Sequence, residues 1–468
     1  MSSVSEDVSL SGEVALDGSK ITGYTLQVLE KLERSEPGAV HPVIVHFQDR
    51  YNQASLDFMA HAELSQSNRE SRHAIARAHA EHVQRGLRAY LWGGQVGECF
   101  RDSPHFQFQP DRMVRFLPLT NCAIVPATTR LVEAMRTRDN VFAIQRCLKT
   151  FPVPGEELAS LGQVLLLADP GGTTGGQSGY TWGWHFLGLP HIHQNRRLFG
   201  DGVVLGMANT GVCEDHPDLV FKVKDFCKVE PSGRIAPAHS FDLNGHGTHC
   251  AGVMIGAANS GTQIGGAPAA VLKAVSIMDS EGTTTHGNLL QALEWLGDPY
   301  RSADVINLSV GIETPTPDEI KLLERQVTYL RNQGIMLVAA IGNQRHQSMY
   351  PARLDGVIGC GAITVNGDVW ASSGTGPDFV LPGQAIHSAL PPLNPRSNGQ
   401  CYGWYTGTSM ACAHMTALVA LFMEAKPRLG LGRMVSAFRD TASNGGVWDA
   451  RAGWGIPSLE NALRSCGA

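Results

Sequence analysis

Thr406-Gly407-Thr408-Ser409-Met410-Ala411 runs directly into Cys412-Ala413-His414-Met415-Thr416-Ala417-Leu418-Val419. A tight Gly-Thr turn delivers a serine to the start of a long apolar segment of helical character. That placement suits a nucleophile, because the hydroxyl is presented while the helix N-terminus offers backbone N–H groups and positive potential. Read alone, the same residues are an ordinary Ser/Thr helix cap. The other blocks of the chain decide between the two.

Composition narrows the field. The chain has 468 residues and a net charge of −6, long enough for one large domain plus a smaller one. This balance gives no reason to expect nucleic acid or an anionic membrane as partner. No apolar run approaches the roughly eighteen residues of a membrane span. Residues Met1 to Lys20 are rich in Ser, Glu, Asp and Gly, without a basic start and an apolar core, so no secretory signal is expected. The ten cysteines are scattered and form no C-x-x-C pair. That usage fits reduced thiols and a cytoplasmic protein.

Four stretches follow in order. Residues 1–40 read as a flexible leader with one short amphipathic helix, Leu26 to Leu32. In residues 41–151 the pattern gives a strand at Val43 to Phe47, a long helix from Ser67 to Leu91 and a strand pair within Met113 to Val125. A helix from Thr128 to Arg138 and a strand from Val141 to Cys147 complete it. The order β-α-β-β-α-β is that of a small ferredoxin-like α+β domain. Residues 152–181, with Pro152, Pro154, Pro170 and the tract Gly171 to Gly179, read as a linker and a place for proteolytic processing. From 182 to 468, near-continuous apolar runs (Val203 to Ala208, Val271 to Ile277, Val305 to Leu308, Ile335 to Ala340, Val357 to Gly361) alternate with helical ones. Such runs suit a parallel sheet wrapped by helices.

Three more blocks carry chemistry. In Asn244-Gly245-His246-Gly247-Thr248-His249-Cys250, glycines flank a histidine at a helix start, where an imidazole is either structural or exposed beside a nucleophile as a base. Ala339-Ala340-Ile341-Gly342-Asn343 is a buried strand closing on an Asn, whose amide is either a turn cap or a donor to a developing oxyanion. Val203 to Ala208 ends in Asn209-Thr210-Gly211, followed by His216-Pro217-Asp218-Leu219.

Together the four blocks, in this order, resemble the subtilisin-like serine proteases (subtilases, peptidase S8) over about residues 180 to 465, and Cys250 after His249 is similar to the proteinase K branch. Ile306-Asn307-Leu308-Ser309-Val310-Gly311, Tyr350-Pro351-Ala352 and Leu381-Pro382-Gly383 add to the likeness. The resemblance implies an α/β fold, a subtilisin-like parallel-sheet three-layer sandwich, preceded by a ferredoxin-like pro-domain that acts as an intramolecular inhibitor. It implies Ser409 as nucleophile, His246 as base, and Asn343 with the Ser409 N–H as oxyanion hole. A polypeptide substrate is then expected as an added strand on Ser309, Val310 and Gly311. No cofactor is needed for such chemistry. The loop Ala257 to Gln263 with Asp218 matches a family calcium site, so Asp218 and Asn259 are candidate ligands of a structural Ca²⁺.

Two positions depart from the family. Cys412-Ala413 stands where a small residue and proline are usual. Asn209 stands where the family has the triad Asp, which holds the base histidine in the right tautomer and stabilises the imidazolium. An Asn is neutral, and either accepts from the histidine or donates to it, the second orientation fixing the wrong tautomer. Asp215, Asp218 and Asp242 are nearby candidates for a substitute carboxylate. The expectation is a subtilisin-type endopeptidase acting through an acyl-enzyme, made as a zymogen and attenuated or inactivated by Asn209. The alternatives are a pseudoprotease scaffold that binds extended peptides or a protein partner without turnover, and an introduced change that traps the uncut form.

Overall fold

The computed structural model describes residues 14–16, 19–21, 39–47, 66–103, 108–117, 122–138, 141–146, 149–152, 156–157 and 179–467 apart from 231–233, 280–281, 299–301, 314 and 393–400. The chain divides into two compact units: 1–62 with 70–148 and 231–234, and 63–69 with 149–230 and 235–468. The leader helix expected at 26–32 and the glycine tract at 171–178 lie outside the described residues.

In the first unit, Val14–Leu16 (β1) pairs antiparallel with Ser19–Ile21 (β2), inside the stretch read as a loose leader. His41–Phe47 (β3), Gln66–Trp92 (α1), Arg115–Leu117 (β4), Cys122–Ala127 (β5), Thr129–Arg136 (α2) and Val141–Arg146 (β6) then follow in the expected order. The four strands form one antiparallel sheet, β4-β5-β3-β6. Alternation decides which face is covered. Val43, Val45 and Phe47 of β3 share a core with Val83, Leu87 and Leu91 of α1, spaced four apart on one helical face. Thr128 starts α2 by accepting the Leu131 N–H at 3.3 Å.

The second unit takes in Lys149–Pro152 (β7), most of which had been read as the end of the ferredoxin-like stretch, and Glu156–Glu157 (β8), a short strand inside the stretch read as linker. Its frame is an eight-stranded sheet. In chain order the strands are Val204–Asn209 (β9), Val223–Val229 (β10), Ile235–Pro237 (β11), Val271–Ser276 (β12), Val305–Leu308 (β14), Met336–Ala340 (β16), Val357–Ile363 (β17) and Phe379–Pro382 (β18), with the short Thr284–Thr285 (β13) and Val310–Gly311 (β15) outside it. The spatial order is β11-β10-β12-β9-β14-β16-β17-β18, parallel throughout except for β11. Apolar runs had placed β9, β12, β14, β16 and β17. They missed β10, Val-Lys-Asp-Phe-Cys-Lys-Val, because its charged residues lie near the sheet edge, where only Phe226 and Cys227 are buried.

Helices cover both faces. Leu205 and Met207 of β9 join the core shared with His246–Ile255 (α4) and Thr408–Ala425 (α7). Gly206 between them faces Ala303 and Leu296, the latter from His286–Leu296 (α5). Pro317–Asn332 (α6) packs beside α5 and starts with a capping box, Thr316 and Glu319 satisfying each other's backbone N–H groups. Trp182–Phe186 (α3) precedes β9; Ile386–Ala389 (β19) and Tyr402–Thr406 (β20) form a hairpin ahead of α7. This is the three-layer α/β sandwich the sequence pointed to. Among the described residues α7 alone is long and apolar enough to cross a membrane, which the run-length reading had not found. It is apolar all round because most of it is buried inside the unit.

Candidate active site

Parallel pairing sets the C-terminal ends of β9, β14 and β16 side by side. Chain order reverses at β9, with β12 on one side and β14 on the other. Crevices at such switch points are where open α/β sheets place their sites. Here β9 ends on Asn209, β14 leads into Ser309, and β16 into Gly342-Asn343. Helix α4 opens on His246 after Gly245, whose φ of 96° suits glycine, and α7 opens on Thr408-Ser409. The two helices pack against each other. Asn209, His246, Asn343 and Ser409 thus all lie in the second unit, Asn209 against His246 and Asn343 against Thr408, the neighbour of Ser409.

Asn209 and His246 are buried, and His246 Nδ1–H donates to Asn209 Oδ1 at 2.8 Å. The same oxygen accepts the Thr210 backbone N–H, also at 2.8 Å. That second bond decides the orientation of the amide. A backbone N–H cannot reverse its role, so turning the Asn209 amide over would set donor against donor. The oxygen therefore faces His246, the imidazole proton sits on Nδ1, and Nε2 keeps its lone pair. The cost falls on Asn209 Nδ2, which is buried without a hydrogen-bond partner; such an orphan typically costs about 1–3 kcal/mol.

Asp242 is not the substitute carboxylate considered above. Its Oδ1 accepts from Thr210 Oγ1 (2.9 Å), Asn244 N (3.1 Å) and Gly245 N (2.8 Å), and its Oδ2 from Thr248 N (2.8 Å) and Thr248 Oγ1 (2.6 Å). Thr210 Oγ1 in turn accepts the Gly247 N–H at 2.9 Å. The carboxylate locks the turn that delivers His246 to the residue beside Asn209. Sequence reading had weighed Asp242 only as a charge; its Asx-type spacing before Asn244-Gly245 was the available signal.

Across the crevice, Asn343 is pinned in the same manner. Its Oδ1 accepts from Thr408 N and Thr408 Oγ1, both at 2.9 Å, which makes the NH₂ its donor side. Ser409 is buried, and its carbonyl accepts from Ser309 Oγ at 3.1 Å. Cys412, at the family's departure, takes part in packing the helix: it accepts from Asn307 Nδ2 (3.2 Å) and donates to Val338 O (3.3 Å). Two further histidines on these helices are structural. His249 donates from Nε2 to Ile386 O at 3.0 Å and stacks on Tyr405; burial first, then the nearby His246, pushes its pKa down to about 3. His414 donates from Nδ1 to Met410 O at 2.8 Å, and burial lowers it to about 4.

The substrate edge expected at Ser309 to Gly311 is a strand edge. Val310 and Gly311 pair antiparallel with Pro152 and Phe151, while Thr284 and Thr285 pair with Thr150 and Lys149. The chain's own β7 therefore lies as the middle strand of a three-stranded ladder. Beyond it, β8 pairs with Thr406 and Tyr405, just ahead of Ser409.

The calcium candidates meet, but as a hydrogen-bonded tie. Asp218 accepts from Asn259 N at 2.7 Å and from Tyr402 OH at 2.8 Å, and the Asn259 side chain donates to Pro217 O. Burial, then the Asp218 bond, raises Tyr402 to about 12. The oxygens a cation would take already hold N–H and O–H donors, and among the described residues no group of three or more His, Cys, Asp or Glu could hold a metal.

Sequence comparison points the same way. A profile of the subtilase family matches residues 200–455. Subtilisin BL of Lederbergia lenta is 33% identical over 287 residues, 60% of this chain and 98% of that protein. An alkaline protease of Shouchella clausii is 33% identical over 287 residues, 60% of this chain and 70% of its own length. Subtilisin DY of Bacillus licheniformis is 30% identical over 254 residues, 52% of this chain and 85% of that protein.

Proposed function

The chain belongs to the subtilase family of serine proteases, and from that premise we propose that it is a serine endopeptidase, slowed by Asn209 and blocked by its own β7 strand. A substrate peptide takes the place of β7 between β13 and β15, its main chain supplying affinity. Ser409 Oγ attacks the carbonyl and passes its proton to His246 Nε2. The Asn343 amide and the Ser409 N–H hold the oxyanion. His246 returns the proton to the leaving amine, and water then repeats the sequence on the acyl-enzyme.

The observation that carries this reading is the Thr210 N–H bond to Asn209 Oδ1 at 2.8 Å. In related serine proteases an Asp→Asn change costs about 10⁴-fold in kcat because the histidine takes the wrong tautomer. Here the amide is held the productive way, and what is missing is the negative charge opposite the imidazolium. Unit charges about 4 Å apart at an effective dielectric of about 20 interact by about 4 kcal/mol, so the attenuation is about 10²- to 10³-fold. The pairing of β7 with Val310 and Gly311 supports self-inhibition by the segment that follows the ferredoxin-like unit in sequence.

A second reading, a scaffold that binds extended peptides without turnover, is favoured by the orphaned Asn209 amide alone. A fluorophosphonate probe separates the two. Labelling of the natural chain that is lost in Ser409→Ala supports the protease. No labelling, either in the natural chain or in Asn209→Asp, contradicts it. The nine described cysteines are free, which supports a reducing, cytoplasmic setting. The Asp218 tie supports a loop that stands without calcium, and a chelator is then expected to leave the melting temperature unchanged.

A further inference from the structure

The sequence left open which residues the site accepts, because that depends on the space between Ser309 to Glu313 and the segment after Asn343. That space is now defined. Ser309 adjoins Ser409 through its 3.1 Å hydrogen bond to the Ser409 carbonyl. A substrate strand in the register of β7 pairs two of its residues with Gly311 and Val310, so the next residue falls opposite Ser309 and beside the nucleophile. With its carbonyl turned to Asn343 and its main chain on β15, its side chain must enter the gap between β15 and Gly342-Asn343.

Both walls of that gap are glycine, and one side chain fills it. A Cβ at Gly311 would come within 2.8 Å of Met349 Cβ and 3.1 Å of its Cγ, and closer still to the sulfur. A Cβ at Gly342 would come within 3.0 Å of Met349 Cγ and 3.3 Å of its sulfur. The backbone under Met349 is fixed on both sides. Its N–H donates to Ile341 O at 2.9 Å, and the next residue, Tyr350, pairs with Ile312 through bonds of 2.9 and 3.0 Å. Met349 is only 6% exposed, and its side chain reaches toward both Gly311 and Gly342.

We propose that Met349 closes the pocket for the side chain at the cut bond, so that the chain takes Gly, Ala or Ser there and rejects Leu, Phe and Tyr. The proposal rests on the protease reading for where the substrate lies. Packed interiors do not absorb added volume cheaply, and a single methylene more or less in such a pocket changes selectivity about 10- to 200-fold. In the sequence β7 is followed by Val153, itself a short side chain.

The test copies β7. Peptides Lys-Thr-Phe-Pro-Xaa, with Xaa Ala, Leu or Phe, compete with a fluorescent Lys-Thr-Phe-Pro-Ala for the full natural chain. The chain's own strand weakens all of them by the same factor, so the ratios survive. The Ala peptide is expected to bind at least about tenfold more tightly than the Phe peptide. Met349→Ala, checked for folding by circular dichroism, is expected to bring the two within a few-fold or invert them. The corresponding anilides on Asn209→Asp are expected to show the same order in kcat/KM. Equal or tighter binding of the Phe peptide to the natural chain, ratios unmoved by Met349→Ala, or no peptide binding at all would overturn the proposal. Failure of anilide cleavage together with failure of fluorophosphonate labelling would count instead against the protease reading, while the binding ratios still report on the pocket.

Discussion

Two asparagines stand at the C-terminal end of the sheet, one closing β9 and one following β16, and each is held by the threonine next to it in space. Asn343 has its oxygen fixed by the Thr408 N–H and hydroxyl, and Asn209 by the Thr210 N–H. The outcome differs. At Asn343 the pinned oxygen leaves the NH₂ as the donor side, the orientation that the proposed oxyanion role requires. At Asn209 the pinned oxygen accepts from His246 and leaves Nδ2 buried without a partner. One amide has its oxygen satisfied twice over; the other has its oxygen satisfied and its nitrogen orphaned. The orientation, not the residue name, decides whether a neutral Asn abolishes the base or only weakens it.

The largest expected effect restores the carboxylate. Asn209→Asp should raise kcat/KM on a peptide substrate by about 10²- to 10³-fold, since charge alone is missing. A gain below threefold would mean that something other than the acid side limits the rate. Asn343→Ala, measured in that faster background, should lower kcat by about 10²- to 10³-fold with little change in KM, as loss of one oxyanion donor does. A loss confined to KM would show that Asn343 binds the ground state and would dissolve the contrast between the two amides.

Smaller effects fall on stability. Asp242→Ala leaves Thr210, Thr248 and the Asn244-Gly245 turn without their acceptor, and should cost about 2–4 kcal/mol in denaturant unfolding. Because that turn delivers His246, activity should fall along with stability. Acid should also unfold the second unit. His249 and His414, held down to about 3 and about 4, stay neutral in the fold while the unfolded chain protonates below about 6.5. Stability is therefore present above pH 6.5 and lost as pH falls toward those values. Asp378, raised by burial to about 6, acts the other way and gains as it protonates. At pH 5 the two histidines cost about 4 kcal/mol and Asp378 returns about 1 kcal/mol. The melting temperature should drop between pH 6.5 and 4, and a flat profile would contradict the assignment.

Much of this was legible in the sequence. Runs such as Val305 to Leu308 must be strands buried on both faces, and the glycines around His246 and Ser409 mark the turns that present them. What escaped depended on partners distant in sequence. Lys149 to Pro152 carries no strand signature of its own and becomes β7 only because β13 and β15 offer edges on either side. Met349 gives no signal at all until Gly311 and Gly342 are seen against it. Asp218 and Asn259, read as candidate calcium ligands, meet through a hydrogen bond, and Asp218 holds a second partner, Tyr402, far along the chain. No sequence rule orients an amide, so the state of Asn209 had to wait for the Thr210 N–H.

The tautomer of His246 tests that state most directly. In the natural chain at neutral pH, ¹⁵N-resolved NMR of the imidazole should show a proton on Nδ1 and a bare Nε2. A proton on Nε2 would mean that the Asn209 amide faces the other way, and that Ser409 has no base.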